Sequence, residues 1–342
     1  MRWASATGVA CVPSVIVVGA SGYAGAIAAR ILWRHPQFEL LAITAREDAG
    51  RPLAELYPQH RVPLALEQLD LERAAAADAA VVAYPHGSAA PVVAALLERE
   101  LRVVDLSADF RLRDVATYEQ WYGPHPHPEL IERAVYGLTE LYREQIAGAA
   151  LVACPGCFPT AAILALAPLA AAGLIADVVI DAKTGVSGMG KQPREGNHFV
   201  SVTENVRPYG VGAHRHMPEI DQELARLGAP VPVTFTPHLL PIDQGELLSC
   251  YVTPTRAVRQ AELVALYSER YAGEPFIDLV ALAPGVRDVR ETNVCAINML
   301  ADERTGKLLV FAAIDNLWKG TASQAVANLN LMFGYEEGLG LR

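Results

Sequence analysis

The sequence predicts an α/β protein in which a nucleotide-binding domain precedes a second α/β domain. The chain has 342 residues, enough for about two domains of roughly 150 residues each. A β-branched run at 14–18 leads through the glycine-rich turn 19–25 into an alanine-rich helical pattern that continues to about His35. Further apolar runs alternate with helical stretches, an order that favours a parallel, doubly wound sheet.

The first domain is predicted to span residues 1–155, with strands that are short apolar runs. Its predicted elements are strands at 15–18, 40–44, 79–83 and 102–106 and a helix from Ala89 to Glu100. Helical stretches lie between some of these strands, and such alternation implies a parallel, doubly wound sheet.

The second domain is predicted over residues 156–317 and contains a mixed sheet. Its predicted strands are 177–183, 232–237, 246–253, 293–301 and 308–314. The closing segment, 318–342, has apolar residues at helical spacing, among them Ala325, Leu329 and Met332. We expect it to form a C-terminal helix that returns to the first domain.

Charge and composition argue against several functional classes. The 28 basic and 38 acidic residues give a formal net charge of −10 without a concentrated basic face, which argues against nucleic-acid binding. Five cysteines are an odd, sparse set for a disulfide framework, which favours a reducing, cytoplasmic location. Residues 146–176 carry no charge, but Pro and Gly interrupt them, so a buried loop and helix is favoured over a membrane span. Residues 1–14 are interpreted as a short extension rather than a signal peptide.

The turn after the first strand is the candidate phosphate-binding site. Glycines let the backbone approach a pyrophosphate, and the following helix offers free N–H groups and the positive end of its dipole. Tight strand-to-helix turns also use glycine without any ligand, so the motif depends on its βα context. The candidate cofactor-binding residues of this turn are Gly19, Ser21, Gly22, Tyr23, Ala24 and Gly25.

The end of the second strand bears on which dinucleotide is bound. NAD-specific sites usually place an Asp or Glu there for the ribose 2′-hydroxyl, whereas this chain has Thr44, Ala45 and Arg46. An arginine suits the additional 2′-phosphate of NADP, although a solvated surface arginine is the competing interpretation. The sequence therefore predicts a Rossmann-type NADP-binding domain.

The segment from Cys154 to Thr160 allows three interpretations. A C-x-x-C redox pair would belong in a much smaller thioredoxin-like domain, and a zinc site would need further ligands that do not follow in the sequence, so no metal is expected. The third interpretation makes Cys157 a lone nucleophile. Because a helix is predicted to begin directly after it, the positive end of the helix dipole should lower the pKa of the thiol.

A thiol nucleophile needs a proton carrier, and the segment 209–220 offers candidates. His214, Arg215 and His216 stand immediately before a predicted helix at 218–227. Each histidine alone is more often a surface or structural residue than a catalyst. Together with Glu219, which could orient an imidazole, they resemble a nucleophile, base and orienter arrangement.

Seven segments, in the same order from about Val15 to Leu341, resemble the N-acetyl-γ-glutamyl-phosphate reductase family, which is related to aspartate-semialdehyde dehydrogenase. They are 19–25, Asp105–Arg111, Pro155–Thr160, Gly185–Gly188, Tyr209–Glu219, Phe235–Leu239 and Ala313–Leu317. The resemblance implies an enzyme of arginine biosynthesis. In it a thiolate attacks N-acetylglutamyl phosphate, phosphate leaves, and NADPH reduces the thioester to N-acetylglutamate semialdehyde.

The resemblance also implies roles for individual residues. Cys157 would be the nucleophile, His216 the acid/base and Glu219 its orienter, with His214 as the competing base. Arg111, His214 and Arg215 would bind the substrate, and Lys183 is a further candidate for its phosphate or carboxylate. Ser187, Gly188 and Asn316 would lie on the nicotinamide side of the cofactor. The family forms oligomers through the sheet of the second domain, so a homodimer or homotetramer is expected.

Two departures from the family pattern stand out. Cys154 stands where a non-cysteine residue is expected, which allows a disulfide with Cys157 under oxidation, and residues 189–194 differ from the usual small-residue loop. Three alternatives remain open. One is a reductase of lysine biosynthesis that acts on a carrier-linked aminoadipyl or glutamyl phosphate. The others are a non-catalytic NADP-binding sensor and a C-x-x-C redox or metal module.

Overall fold

The computed structural model describes residues 12–342, so Cys11 and most of the predicted N-terminal extension lie outside the described residues. The chain divides into two compact units. The first unit contains residues up to 110, 126–154 and 325–342, and the second contains 111–125 and 155–324. Sequence analysis placed residues 111–125 inside the first domain, whereas the structure assigns them to the second unit.

The first unit is built on a seven-stranded sheet in which every pair of neighbouring strands is parallel. Its strands are β1 (Ser14–Val18), β2 (Glu39–Thr44), β3 (Leu66–Glu67), β4 (Ala79–Val82), β5 (Arg102–Asp105), β6 (Ala134–Tyr136) and β7 (Leu151–Ala153). The strand order is β3-β2-β1-β4-β5-β7-β6. The order reverses beside β1, where open α/β sheets bind ligands at the carboxyl ends of their strands.

The helices of the first unit connect these strands, as expected for a doubly wound fold. They are α1 (Tyr23–Trp33), α2 (Leu53–Leu56), α3 (Leu71–Ala74), α4 (Ala90–Leu97) and α6 (Thr139–Ala147), with short 3₁₀ turns at Pro58–His60 and Pro128–Arg133. The closing helix α11 (Ser323–Met332) belongs to this unit from Ala325 onward. The core strands β1 and β4 are almost entirely buried, which explains their uninterrupted apolar sequence.

The second unit contains a seven-stranded mixed sheet with the order β12-β13-β14-β11-β8-β10-β9. Its strands are β8 (Ile175–Thr184), β9 (Arg207–Pro208), β10 (Val233–Leu239), β11 (Glu246–Pro254), β12 (Ile277–Leu279), β13 (Cys295–Asp302) and β14 (Lys307–Ile314). Its helices are α5 (Val115–Tyr122), α7 (Cys157–Ala171), α8 (Phe199–Val202), α9 (Met217–Leu227) and α10 (Gln260–Arg270), with 3₁₀ turns at Val186–Met189 and Glu195–Asn197 and a π-helical turn at Trp318–Ala322.

The two faces of this mixed sheet differ in how they are covered. Helix α7 packs against β11 and β14, and every residue from Phe158 to Ala170 is buried. The uncharged stretch 146–176 is therefore largely protein interior, as sequence analysis expected, and within residues 12–342 no helix has the length and apolar character that a membrane crossing requires. The opposite face of the sheet keeps apolar side chains at least partly exposed to solvent, among them Val179, Tyr251 and Leu300.

The predicted fold class is confirmed, and the strands were placed to within a few residues. The reason is that parallel strands and amphipathic elements leave clear periodic signals in the sequence. The short strands β3, β6, β7, β9 and β12 were missed, because two or three residues carry no such signal.

Candidate active site

Cys157 is the first residue of α7 and keeps partial exposure to solvent. Gly156 precedes it in an extended conformation, and Thr160 closes the first turn by donating both its backbone N–H and its hydroxyl to the Gly156 carbonyl, each at 2.9 Å. Gly320 lies directly beside the cysteine, since a Cβ atom on that glycine would be 2.8 Å from Cys157 Cβ. The thiol is thus held at a helix N-terminus by backbone that approaches it closely.

Glu219 links the cysteine turn to α9. The Gly156 N–H donates to Glu219 Oε1 at 2.9 Å, and Glu219 Oε2 lies 3.6 Å from Arg111 Nη1. Arg111 and Glu219 are 8% and 1% exposed, so each charge depends on the other for compensation. Glu219 therefore positions the backbone at Cys157. Its contacts with Gly156 and Arg111 add this positioning role to the predicted one, in which Glu219 orients His216.

His216 sits against the same glycine. It precedes the first residue of α9, and a Cβ atom on Gly156 would lie 2.5, 2.8 and 2.9 Å from three atoms of its imidazole ring. The ring Nδ1 is buried and makes no hydrogen bond to any described residue. Its neighbour His214 is placed differently: its Nδ1 accepts the backbone N–H of His216 at 3.2 Å, and its ring packs edge-on against Phe158 and Tyr209.

Electrostatics at this cluster favour neutral groups. Burial, together with Glu246, raises the pKa of the Cys157 thiol well above its usual value, although the Phe158 N–H and Arg111 act in the opposite direction. Burial lowers the pKa of His216 well below its usual value, with His214 and Arg111 adding to the effect, and lowers that of His214 to about 4. The resting pair is thus a thiol and a neutral imidazole. The N–H at the helix start lowers the thiol pKa, as expected, but desolvation outweighs it, so the net shift of the pKa is upward.

Sequence analysis missed Glu246, which lies at this site. It begins β11, is completely buried, and interacts directly with the Cys157 thiol. Burial and the nearby Asp315 raise its pKa to about 8, while the thiol opposes that shift. The available signal was one acidic residue at the start of an otherwise apolar strand, but such a residue is more often a solvated strand end.

Replacing Gly156 by alanine is expected to displace His216, because the new Cβ would overlap three ring atoms. A misplacement of about 1 Å at a catalytic group can lower the rate by about 10², so kcat should fall by at least that factor. Steady-state kinetics and thermal unfolding measure the two consequences. Gly148→Ala is the matched control, since a Cβ there meets no atom within 4 Å, and equal kcat values for the two variants would contradict the proposed packing.

The predicted nicotinamide-side residues come together elsewhere in the second unit. Asn316 Nδ2 donates to Ser187 Oγ at 3.1 Å, and its Oδ1 accepts the Gly245 N–H at 2.7 Å. Gly188 is adjacent, since a Cβ there would be 3.8 Å from Asn316 Nδ2. Asn316 is 2% exposed and its amide is oriented from both ends, so the turn Val186–Met189 is held in a defined position.

The glycine turn of the first unit fits a phosphate group. The Thr44 carbonyl accepts the N–H groups of Gly19 and Ala20, and a Cβ on Gly25 would lie 2.3 Å from the Gly19 carbonyl oxygen. Packing thus requires Gly25 and Gly19 with or without a ligand. Gly22 differs, because a Cβ there would meet a single atom, 3.7 Å away, so this residue leaves open space at the N-terminus of α1.

Arg46 stands at the end of β2 as predicted. Its guanidinium carbon lies 4.2 Å from the centroid of the Tyr84 ring, and its backbone carbonyl accepts from Gln68. The side chain is exposed. Stacking on an aromatic ring restrains the guanidinium while leaving its N–H groups available for a phosphate.

Comparison with known proteins identifies the two domains and the family of the chain. Residues 14–149 match the semialdehyde dehydrogenase NAD binding domain, and residues 157–316 match the semialdehyde dehydrogenase dimerisation domain. An N-acetyl-gamma-glutamyl-phosphate reductase of Moorella thermoacetica is 48% identical over 334 residues, which cover 95% of this chain and 96% of the relative. The chain belongs to the N-acetyl-γ-glutamyl-phosphate reductase family.

Solved structures show the same fold at low sequence identity. Aspartate semialdehyde dehydrogenase II from Vibrio cholerae is 16% identical with a TM-score of 0.74, and it covers 95% of this chain and 99% of its own. An aspartate semialdehyde dehydrogenase from Candida albicans, solved with NADP, is 14% identical with a TM-score of 0.67, covering 94% of this chain and 99% of its own. The family assignment therefore rests on sequence similarity, whereas the fold is supported by both sequence similarity and the solved structures.

The remaining residues that the family resemblance singled out are spread over both units. Arg215 is exposed, with its guanidinium 5.3 Å from the Tyr122 ring centroid, and Lys183 pairs with Asp181 at 2.6 Å. Cys154 is fully buried in the first unit, where its sulfur accepts from Asn328, and both Cys154 and Cys157 are free thiols. Over residues 12–342, no group of three or more His, Cys, Asp or Glu side chains could hold a metal ion.

Proposed function

We propose that Cys157 carries the acyl group in an NADPH-dependent reductive dephosphorylation of N-acetyl-L-glutamyl 5-phosphate to N-acetyl-L-glutamate 5-semialdehyde. As a member of its family, the chain is an NADP-dependent oxidoreductase of arginine biosynthesis. The observation that carries the assignment of roles is the packing of the His216 ring on Gly156, directly before the thiol. This packing supports a pairing of Cys157 as nucleophile with His216 as proton acceptor, because Gly156 directly precedes the thiol.

The first half of the reaction makes a thioester. His216, held neutral by burial, takes the proton from the Cys157 thiol as the sulfur attacks the acyl carbon. The carbon–oxygen bond to phosphate breaks, and the proton on His216 passes to the departing phosphate oxygen. The N–H groups at the start of α7 are proposed to stabilise the negative charge that develops on the acyl oxygen.

The second half releases the aldehyde. Bound NADPH supplies the hydride that the thioester carbon accepts. Collapse of the resulting oxyanion breaks the carbon–sulfur bond, and the Cys157 thiolate recovers a proton from solvent through His216. One proton is consumed overall, as reduction of an acyl phosphate to an aldehyde and inorganic phosphate requires.

Arg111, Arg215 and His214 are proposed to hold the substrate. Arginine suits a phosphate or carboxylate because its planar group offers paired N–H donors. Arg111 lies closest to the chemistry, since its guanidinium adjoins Glu219 and influences the thiol. Arg215 is exposed beside Tyr122, and His214 supports the backbone of His216 as well.

The cofactor is NADP(H), and its contacts are assigned by proposal. The turn residues Gly19, Ser21, Gly22, Tyr23, Ala24 and Gly25 would hold the pyrophosphate, in line with the open space at Gly22. Arg46, restrained by Tyr84, would bind the 2′-phosphate. Ser187, Gly188 and Asn316 would contact the nicotinamide side.

Assembly and location are proposed on separate grounds. The second unit matches a dimerisation domain, and its sheet keeps apolar side chains exposed on one face. We propose that a second copy of the chain covers this face in a dimer or tetramer. A catalytic thiol must stay reduced, which favours the cytoplasm.

The reverse reaction tests the proposed function. Purified protein supplied with N-acetylglutamate semialdehyde, NADP⁺ and inorganic phosphate should form NADPH, followed by absorbance, only when all three are present. NAD⁺ in place of NADP⁺ and sulfate in place of phosphate are the controls. The substrate assignment would be overturned by a signal that does not depend on phosphate, or by no signal at all.

A further inference from the structure

Glu246 is a buried acid at the active site to which the reaction described above gives no role. It opens β11 in the middle of the mixed sheet, paired with Thr184 of β8 on one side and Ile314 of β14 on the other. Its exposure is 0%, and neither carboxylate oxygen makes a hydrogen bond of regular geometry to a described residue. A buried carboxyl group without a regular hydrogen bond destabilises the folded protein unless another group at the site interacts with it.

The groups that face Glu246 come from three elements. The Cys157 thiol at the start of α7 acts directly on the Glu246 carboxyl. Asp315, which follows β14, adds a second negative charge, and Tyr209, which follows β9, is influenced by both the thiol and Glu246. Arg111 is the cation that acts on the thiol.

These neighbouring groups determine the protonation state of Glu246. Burial raises the pKa of Glu246 most; the Cys157 thiol lowers it, Asp315 raises it further, and no cation is among the groups that shift it, so the net shift is upward, to about 8. Asp315 itself is stabilised by the N–H groups of Glu291, Leu317 and Trp318, so Asp315 rather than Glu246 is the acid that can best carry charge here. Glu246 is therefore the acid that retains its proton.

We infer that Glu246 is a positioning residue for the nucleophile: its protonated carboxyl offers a hydrogen bond to the Cys157 sulfur, and its ionisation suppresses thiolate formation. The inference rests on the proposed role of Cys157. It adds a second influence on the ionisation of that thiol. A neutral carboxyl beside the sulfur stabilises the thiolate that forms during attack and after the carbon–sulfur bond breaks. An ionised carboxylate in the same place repels that thiolate.

The proposed role of Glu246 sets the direction in which the reactivity of Cys157 changes with pH. Below pH 8 most Glu246 is protonated and the thiolate is supported. As the pH rises through about 8, Glu246 ionises, so ionisation of Cys157 is pushed to a still higher pH. The reductase should therefore lose activity on the alkaline side, where a free thiol would ordinarily gain reactivity.

Glu246→Gln tests this inference, because glutamine keeps the shape and an N–H donor but cannot ionise. The rate of Cys157 alkylation by iodoacetamide is measured from pH 6 to 10 without substrate, with mass spectrometry locating the label. At pH 9 the variant should react about tenfold faster than the parent, which corresponds to about one pKa unit, and the two should agree at pH 6. A pH-independent change, or none, overturns the inference.

Controls separate positioning from folding. Glu223→Gln neutralises another fully buried glutamate of the same unit, and its alkylation profile should match that of the parent chain. Because the pKa of Glu246 is raised, the folded protein retains a proton that the unfolded chain releases between about pH 4.5 and 8, so rising pH costs stability. Glu246→Gln should thus have a higher Tm at pH 8.5 than the parent and nearly the same Tm at pH 5.

The reverse assay separates this inference from the proposed function. If the assay shows no phosphate-dependent turnover but the alkylation profile still shifts, the reaction is wrong and the pairing of Glu246 with Cys157 stands. If turnover occurs and the profile does not shift, the reaction stands and the role of Glu246 fails. In an active enzyme, Glu246→Gln should also remove the alkaline decline of kcat/KM near pH 8.

Discussion

Cys157→Ser is expected to lower kcat by about 10⁴-fold or more, as removal of a catalytic nucleophile does in other enzymes. The hydroxyl is far less acidic than a thiol, and His216 is a weak base in its buried position. A serine oxygen would also be a poor leaving group when the acyl group is released as an aldehyde. The loss is measured in the reverse assay at saturating NADP⁺ and phosphate.

NADPH binding distinguishes loss of chemistry from loss of structure in this variant. The glycine turn proposed to hold the pyrophosphate belongs to the first unit and Cys157 to the second, so the Kd for NADPH, measured by fluorescence titration, should stay nearly unchanged. Cys154→Ser is the matched control: that sulfur is buried against Asn328, and its replacement should leave most of the activity. A fully active Cys157→Ser variant would rule out a thioester at Cys157.

His216→Asn is expected to lower kcat by about 10² to 10⁴, the usual contribution of a general acid/base. Asparagine is smaller than histidine and cannot exchange a proton at neutral pH, so the Gly156 turn should be retained while the thiol loses its proton acceptor. Because the pKa of His216 is lowered, the imidazole remains neutral below pH 6.5. The acid limb of kcat/KM for the parent enzyme should therefore lie below that pH.

His214→Asn decides between the two histidines. Its ring packs among Phe158, Tyr209 and Phe235, and its Nδ1 supports the His216 backbone, so we expect a smaller loss that acts through the position of His216. Activity that survives in His216→Asn but is lost in His214→Asn would exchange their roles. The pH profile adds a second readout, since the acid limb of the parent should be retained in His214→Asn.

Several features could be predicted from sequence because their signals are local. The βα unit with its glycine turn is contained within about 20 residues, and Cys157 stands beside Pro and Gly at a predicted helix start. In both places, chain connectivity alone brings the relevant atoms together. The order of seven matching segments then identified the family, which the 48% identity to a relative confirms.

Other features depend on which segments meet in space. The partners of Glu219 and the presence of Glu246 at the thiol each join residues more than 60 positions apart. No periodicity in the sequence specifies such a contact. Residues 111–125 joined the second unit for the same reason, since Arg111 pairs with Glu219 and Tyr122 bonds to the Arg215 carbonyl.

By itself, the sequence determined the fold class, the βα unit with its glycine turn, a candidate nucleophile and the family, because each depends on local composition, spacing or segment order. The tertiary structure alone decided the protonation states at the site. The helix start favours a low thiol pKa, but burial and Glu246 reverse the sign of that expectation. Desolvation and the distances between charges depend on how the chain packs. The protonation states of the thiol, the imidazole and the buried carboxyl group therefore follow only from the packing of β11, α7 and α9.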